Sequence, residues 1–254
     1  MHRHDVGSEW IEGPRRVTVW TPGPEGGPGT QDPGPRPLLI LHDGQNLFEP
    51  DRAHRPGHHW QVAETAVALI EAGRIPPLVI AGIDHGEEAR IIEMTPTPGT
   101  YPGAGQAWRY GRFIVEELVP LLHTEYGVDR GAGRLAMGGS SLGGLATLAI
   151  AQQYPASFGR LLVMSPSLWW DDVAMLKRMR RLPLAGSTRV WLDAGLREGR
   201  QTAANVRRLR RILADQLDAG HVAGAEDPDG DHSEDSWQRR LPQALTWLFG
   251  PVLP

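Results

Sequence analysis

Short apolar runs and longer amphipathic runs take turns along almost the whole chain. RRVTVWTP (15–22) alternates β-branched and polar positions, as a half-buried strand does. PLLILHDG (37–44) and PPLVIAGID (76–84) are nearly unbroken apolar runs, which predicts strands covered on both faces. RLAMGGS (134–140), RLLVMSPS (160–167) and TRVWLDAG (188–195) read the same way, and a shorter strand is expected around HVAGAED (221–227). Helical periodicity fills the intervals: 60–73, 105–126, 142–155, 201–220 and 236–249. Strands alternating with helices predict an α/β fold, a mostly parallel doubly wound sheet with helices on both faces, in one domain over 1–254. The proline- and glycine-rich stretch 22–37 breaks the pattern and reads as a long hairpin loop.

Composition narrows the function classes. The chain has 254 residues, 40% hydrophobic and 22% charged, ordinary for a globular protein with a substantial core. A formal net charge of -4 argues against a nucleic-acid surface, and the arginines of RRLRR (207–211) read as a solvated helix face. With no cysteine, disulfide and thiolate chemistry are excluded. No apolar run is long enough to span a bilayer, and MHRHDVGSEW lacks the apolar core of a signal peptide. The expected location is the cytoplasm, with export through a leader absent from this sequence as the alternative.

The stretch LAMGGSSLGGLATLAIAQQYP (135–155) holds the strongest chemical signal. Only one frame, Gly139-Ser140-Ser141-Leu142-Gly143, gives Gly-x-Ser-x-Gly. Chance alone supplies about 0.13 such matches in so glycine-rich a chain, so the context decides. Here the motif sits between a predicted strand and a predicted helix, as a nucleophile elbow requires. Ser141 is then the candidate nucleophile and Ser140 a filler of the turn. A serine hydroxyl needs a base, normally a histidine oriented by a carboxylate. Of the histidines after Ser141, His221 opens a predicted strand and reads as structural, whereas His232 lies in a polar loop before the last helix. For the acid, Glu198 lies beyond the C-terminal end of its strand, where active-site residues of open sheets collect. Asp193, inside that strand, is the alternative. The oxyanion donors expected are the backbone N–H groups of Leu142 and of Gln45, the latter in LILHDGQNLF (39–48).

The motifs LLILHDGQNLF, LAMGGSSLGGLATL, VMSPSLWW and VWLDAGLREG, with the histidine before the last helix, resemble the putative-esterase branch of the α/β hydrolases. That branch includes enterobactin-type siderophore esterases, feruloyl and acetyl-xylan esterases, S-formylglutathione hydrolase and mycolyl transferases. The resemblance covers roughly 36–249. It implies a single-domain α/β-hydrolase fold and a serine esterase without a cofactor, with Ser141 as nucleophile, His232 as base and Glu198 as acid. It departs from the branch in two ways. The acid is often aspartate there, and the lead-in to His232 lacks the GGH of several relatives.

For the substrate, Trp169 and Trp170 in SPSLWWDD (165–172) are expected to wall an acyl pocket, with Trp60 opposite. Arg90 and Arg109 in polar loops complete the substrate-binding candidates. No metal is expected, because adjacent His58 and His59 do not share one ligand direction and no zinc spacing is present. The expected partner is a small-molecule ester, not a nucleic acid or membrane, and self-association into a homo-oligomer is left open. Two competing readings remain: an acyltransferase on the same scaffold and a non-catalytic binding member of the fold.

Overall fold

The computed structural model describes residues 1–23 and 35–251. Its nine described strands are β1 (His2–Val6), β2 (Arg15–Trp20), β3 (Leu38–His42), β4 (Val79–Ile83), β5 (Leu135–Ser140), β6 (Arg160–Met164), β7 (Arg189–Gly195), β8 (Val222–Ala223) and β9 (Glu226–Asp227). They form one sheet in the order β1-β2-β4-β3-β5-β6-β7-β8, with β9 also on β7. The β1–β2 and β2–β4 pairs are antiparallel, and every other pair is parallel. The helices are α1 (Val62–Glu71), α2 (Ala89–Met94), α3 (Ala107–Arg112), α4 (Val119–Tyr126), α5 (Leu142–Gln153), α6 (Trp170–Arg181), α7 (Arg200–Ala214) and α8 (Glu234–Phe249). A π-helical turn, Phe113–Leu118, joins α3 to α4, so the helical run predicted at 105–126 is widened and underwound in its middle.

Strand periodicity explains why the sheet is covered twice. Leu38 and Ile40 of β3 face one core while Leu39 and Leu41 face the other. The same alternation separates Leu161 and Val163 of β6 from Leu162 and Met164. One core is closed by α3 to α7 and the second by α1 and α8. Helix α5 has ten of its twelve residues buried, because it lies at the centre of its layer against β5 and β6. Truncating a core leucine such as Leu145 or Leu148 to alanine should cost about 2–5 kcal/mol.

One expectation fails on topology. The segment 22–37 is not a hairpin connection, because β4 lies between β2 and β3 and β2 pairs with β4 instead. Residues 24–34 of that segment fall outside the described residues. Three further elements, β1, α2 and α6, stand where no element was predicted.

The consequence for function is geometric. Strands β3, β5, β6 and β7 run parallel and deliver their C-terminal ends to one edge of the sheet. Loops leaving those ends carry the chemically interesting residues, as the topology of open α/β sheets favours.

Candidate active site

Ser141 sits between β5 and α5 with φ 55° and ψ -120°, a conformation that a non-glycine residue adopts only at a cost of about 1–3 kcal/mol. Its neighbours make the turn sterically feasible. A Cβ on Gly139 would lie 3.2 Å from the Gly143 Cα and from the His42 Cβ, and one on Gly143 would lie 3.1 Å from the His42 Cβ. Strand, turn and helix therefore close on His42 only because both positions lack side chains. The Ser141 N–H donates to the Met164 carbonyl at 3.1 Å, and the Ser167 N–H donates to the Ser141 carbonyl at 3.0 Å, fixing the turn against the exit of β6. Ser140, the last residue of β5, is buried beside it.

Three sequence-predicted residues come together here. Ser141 Oγ lies 2.9 Å from His232 Nε2, and His232 Nδ1 lies 2.9 Å from Glu198 Oε2. With Glu198 ionised, Nδ1 carries the proton and donates it to the carboxylate, which leaves Nε2 free to accept from the Ser141 hydroxyl. A second hydroxyl, Ser167 Oγ, stands 3.2 Å from Ser141 Oγ. The imidazole is half exposed, whereas the Glu198 side chain is 1% exposed.

Local sequence explains how Glu198 comes to be buried yet reaches the loop of His232. Glu198 ends a single 3₁₀ turn, Leu196–Glu198, directly after β7. Its Oε1 accepts the Gly195 N–H at 2.7 Å, so the side chain folds back onto its own strand end. Gly195 has no alternative here: a Cβ would lie 2.3 Å from the Gly230 carbonyl oxygen, where the His232 loop crosses. The Arg197 N–H donates to that same carbonyl at 2.9 Å and locks the two loops together.

Three residues not anticipated from the sequence support this geometry. Ser165 follows β6 with φ 42° and donates its hydroxyl to Glu198 Oε1. Ser165 Oγ in turn accepts from Trp237 Nε1 at 3.1 Å and Arg240 Nη2 at 2.9 Å, so its donor and both lone pairs are used. Trp237, in the first turns of α8, also stands edge-on to the His232 ring, with centroids 5.0 Å apart. Arg240, one turn further on, lies 3.2 Å from Asp193 and 3.7 Å from Glu198. The available signal was the spacing His232, Trp237, Arg240, which places two large polar-tipped residues on one face of the helix that follows the histidine.

Asp193 is fully buried and accepts from Trp191 Nε1 at 2.9 Å. Burial pushes its carboxyl up to about 6 against the pull of Arg240 and of Trp191. It faces Arg240, and Glu198 is the carboxylate in contact with His232.

Gln45 occupies the 3₁₀ turn Gly44–Asn46 after β3. Its side-chain Oε1 accepts the His85 N–H at 3.3 Å, anchoring the turn to the exit of β4. Leu142 is the first residue of α5, so its N–H has no acceptor within the helix. Asp43 precedes the Gln45 turn in left-handed conformation, gripped by both nitrogens of the Arg90 fork at 2.6 and 2.8 Å. Burial alone would raise the Asp43 carboxyl, but hydrogen bonding to Arg90 and its charge hold it below the usual range. Burial also holds the neighbouring His42 down at about 4, so its ring is neutral and meets Tyr110 Oη at 3.1 Å.

A cleft of about 510 Å³ opens over Ser141 and His232, with Asp43, Gln45, Arg90 and Trp237 on its walls. Of the five residues expected to bind substrate, only Arg90 lines it, and its fork is occupied by Asp43. Trp60 is 2% exposed in the α1–α8 core, packed 5.9 Å from Trp237. Trp170 is held in the opposite core by its indole bond to the Thr97 carbonyl, and Trp169 points to solvent. Arg109 donates to the Trp10 carbonyl at 2.6 Å, on the outer side of α3. Adjacent aromatic residues at a strand exit are ambiguous between wall and core, and here the core takes two of the three. The histidines of 54–59 also separate: His58 pairs with Asp235 at 2.7 Å, while His54 lines the cleft.

Comparison with known proteins bears on the same span. The model of the family described as "Putative esterase" matches residues 8–248. The chain is 27% identical to the uncharacterized protein YbbA of Bacillus subtilis, with 96% of each chain covered. It is also 27% identical to the iron(III) enterobactin esterase of Dickeya dadantii, with 96% of this chain and 54% of the relative covered. The chain thus spans about half the length of that esterase. In fold it is similar to the BES protein from Bacillus cereus, with a TM-score of 0.78 at 20% identity over 98% of this chain and 95% of that one.

Proposed function

We infer the activity from one premise: the chain belongs to the putative esterase family, a group of carboxylic-ester hydrolases with the α/β-hydrolase fold. We propose that it hydrolyses a small-molecule ester through an acyl-enzyme on Ser141. The observation that supports this most is the unbroken contact chain from Ser141 Oγ to His232 to Glu198, two links of 2.9 Å each.

The chemistry follows from those contacts. His232 Nε2 takes the Ser141 proton as Oγ attacks the ester carbonyl carbon, and the carbonyl π electrons move onto oxygen. The N–H groups of Leu142 and Gln45 stabilise that oxyanion, helped by the positive end of the α5 dipole. Collapse reforms the carbonyl and breaks the ester C–O bond, and the departing alkoxide takes the proton from His232. Water then gives a proton to His232 and attacks the acyl carbon. Release of the carboxylic acid returns that proton to Ser141 Oγ. Glu198 keeps Nδ1 protonated throughout and stabilises the imidazolium that forms twice per turnover.

The test separates the two adjacent serines. Ser141→Ala should abolish hydrolysis of p-nitrophenyl butyrate while the melting temperature holds, and Ser140→Ala should keep most of the activity. A dead Ser140→Ala with an active Ser141→Ala would sink the proposal. Repeating the assay with an added alcohol shows whether the acyl group passes to water or to the acceptor.

A further inference from the structure

The cleft over Ser141 has an uneven charge. Four carboxylates line it, Asp43, Glu87, Glu88 and Glu234, against a single arginine, Arg90. Arg90 holds Asp43 through Nε and Nη2, so that pair cancels. Glu234 accepts a weak 3.4 Å donation from Asn46 and shares the field of Arg90, and Glu87 lies 4.0 Å from His85 with an 88% exposed side chain. Glu88 has no ion pair among the described residues. Four carboxylates against one arginine leave the cleft a formal charge of -3 with its histidines counted as neutral.

A second hollow adjoins the cleft at the same end. Glu88 and Tyr101 also border an adjoining hollow of about 620 Å³, which adds Glu12, Ile92 and Pro102. The one cation there, Arg15, is paired with buried Glu93. Tyr101 is 40% exposed, an aromatic ring left open at the junction of the two hollows. An open aromatic face flanked by unpaired carboxylates matches the chemistry that recognises ammonium groups, through ring quadrupole and charge together. Carboxylates gathered along one cleft also add their fields within it, raising the local concentration of cations and repelling anions.

We propose that the ester accepted by this cleft carries a cationic nitrogen, an ammonium or quaternary ammonium group, on the portion that reaches Glu88 and Tyr101. This rests on the esterase reading above and specifies its substrate class. Anionic esters, anionic metal chelates among them, are disfavoured in the same site.

The experiment compares kcat/KM for esters matched in shape and differing in charge, with the charge placed on either side of the ester bond. On the alcohol side the pair is butyrylcholine and 3,3-dimethylbutyl butyrate. On the acyl side it is the p-nitrophenyl ester of 4-(trimethylammonio)butyrate and that of 5,5-dimethylhexanoate, with p-nitrophenyl hemiglutarate as the anion. We expect at least one cationic ester to exceed its neutral isostere about tenfold at low salt, with the gap shrinking at high salt. Glu88→Gln and Tyr101→Leu should each reduce the cation-to-neutral ratio. Binding of phenyltrimethylammonium to Ser141→Ala, read by calorimetry, gives the same preference without turnover. Neutral esters turned over as well as cationic ones in both pairs, or a preference for the anion, overturns the substrate class and leaves the esterase reading standing. Absence of turnover of every ester overturns both.

Discussion

Replacing Glu198 by glutamine changes one atom and should disable the active site through a tautomer. Glu198 Oε1 accepts from the Gly195 N–H at 2.7 Å and from the Ser165 hydroxyl. The Gly195 N–H can only donate, so the glutamine carbonyl must take that position. Its NH₂ group then faces His232 Nδ1, 2.9 Å away in the native contact. An amide NH₂ cannot accept, so Nδ1 must, and the imidazole proton moves to Nε2, pointing at Ser141 Oγ. A protonated Nε2 cannot take the serine proton. The opposite amide rotamer would set two donors against each other inside a site where Glu198 is 1% exposed. In serine-protease triads the equivalent change costs about 10⁴-fold in kcat, near 5 kcal/mol. We expect Glu198→Gln to lose at least about 10²-fold in kcat with KM little changed, because the lost interaction strengthens in the transition state. Stability should fall by no more than about 1 kcal/mol, since the amide keeps the Gly195 bond. Steady-state kinetics on p-nitrophenyl butyrate with a parallel thermal melt measures both. A kcat within about fivefold of wild type would refute the reasoning. If Asp193→Asn collapsed turnover instead, the acid would be Asp193; if neither mattered, Ser141 and His232 would work as a dyad.

Three more outcomes follow from the surrounding network. Ser165→Ala removes a donor to Glu198 and an acceptor for Trp237 and Arg240, so kcat should fall about tenfold with KM held, an effect of about 1.4 kcal/mol; an unchanged kcat would show that Glu198 needs no such support. Asp193 titrates near 6 when folded and near 3.8 when unfolded, so its stabilising contribution is complete below about pH 4 and lost as pH rises through 6. Asp193→Asn lacks this contribution, so the stability gap, wild type minus variant, should be larger at pH 4.5 than at pH 7.5 by about 2 kcal/mol; denaturant titrations giving the reverse slope would contradict a raised carboxyl. Arg90→Ala leaves buried Asp43 unpaired beside the Gln45 turn and should lower the melting temperature by several degrees, at a cost of about 2–4 kcal/mol; a melt indistinguishable from wild type would show that the Asp43–Arg90 pair is not needed.

The parts of this architecture legible in the sequence are those governed by one strong rule. Strands β3, β4, β5, β6 and β7 are buried on both faces, so their apolar runs stand out. Ser141, His232 and Glu198 were legible because the elbow glycines fix one frame and chain order then restricts the rest. What stayed hidden depends on pairing. Strand β1, HRHDV, has almost no apolar alternation, since it is an edge strand with alternate residues exposed, held by its pairing to β2. The strand expected over 221–227 is split in two at Gly224, where a Cβ would lie 1.8 Å from the Leu192 carbonyl oxygen. Helix α6 escapes periodicity because Asp171, Asp172 and Val173 enter it in left-handed conformation. The roles of Ser165, Trp237 and Arg240 arise where β6, β7 and α8 meet, a three-body contact of which the spacing of Trp237 and Arg240 after His232 reveals only the α8 part.

The central claim, an acyl-enzyme on Ser141, is tested most directly by trapping it. The protein would be incubated with a fluorophosphonate, which phosphorylates an activated serine and stops there, and the adduct located by intact-mass and peptide mass spectrometry. The account predicts one adduct per chain, on Ser141, lost in Ser141→Ala and slowed in His232→Ala. An adduct on Ser140 or Ser167, or none at all in protein that turns over an ester, would contradict it.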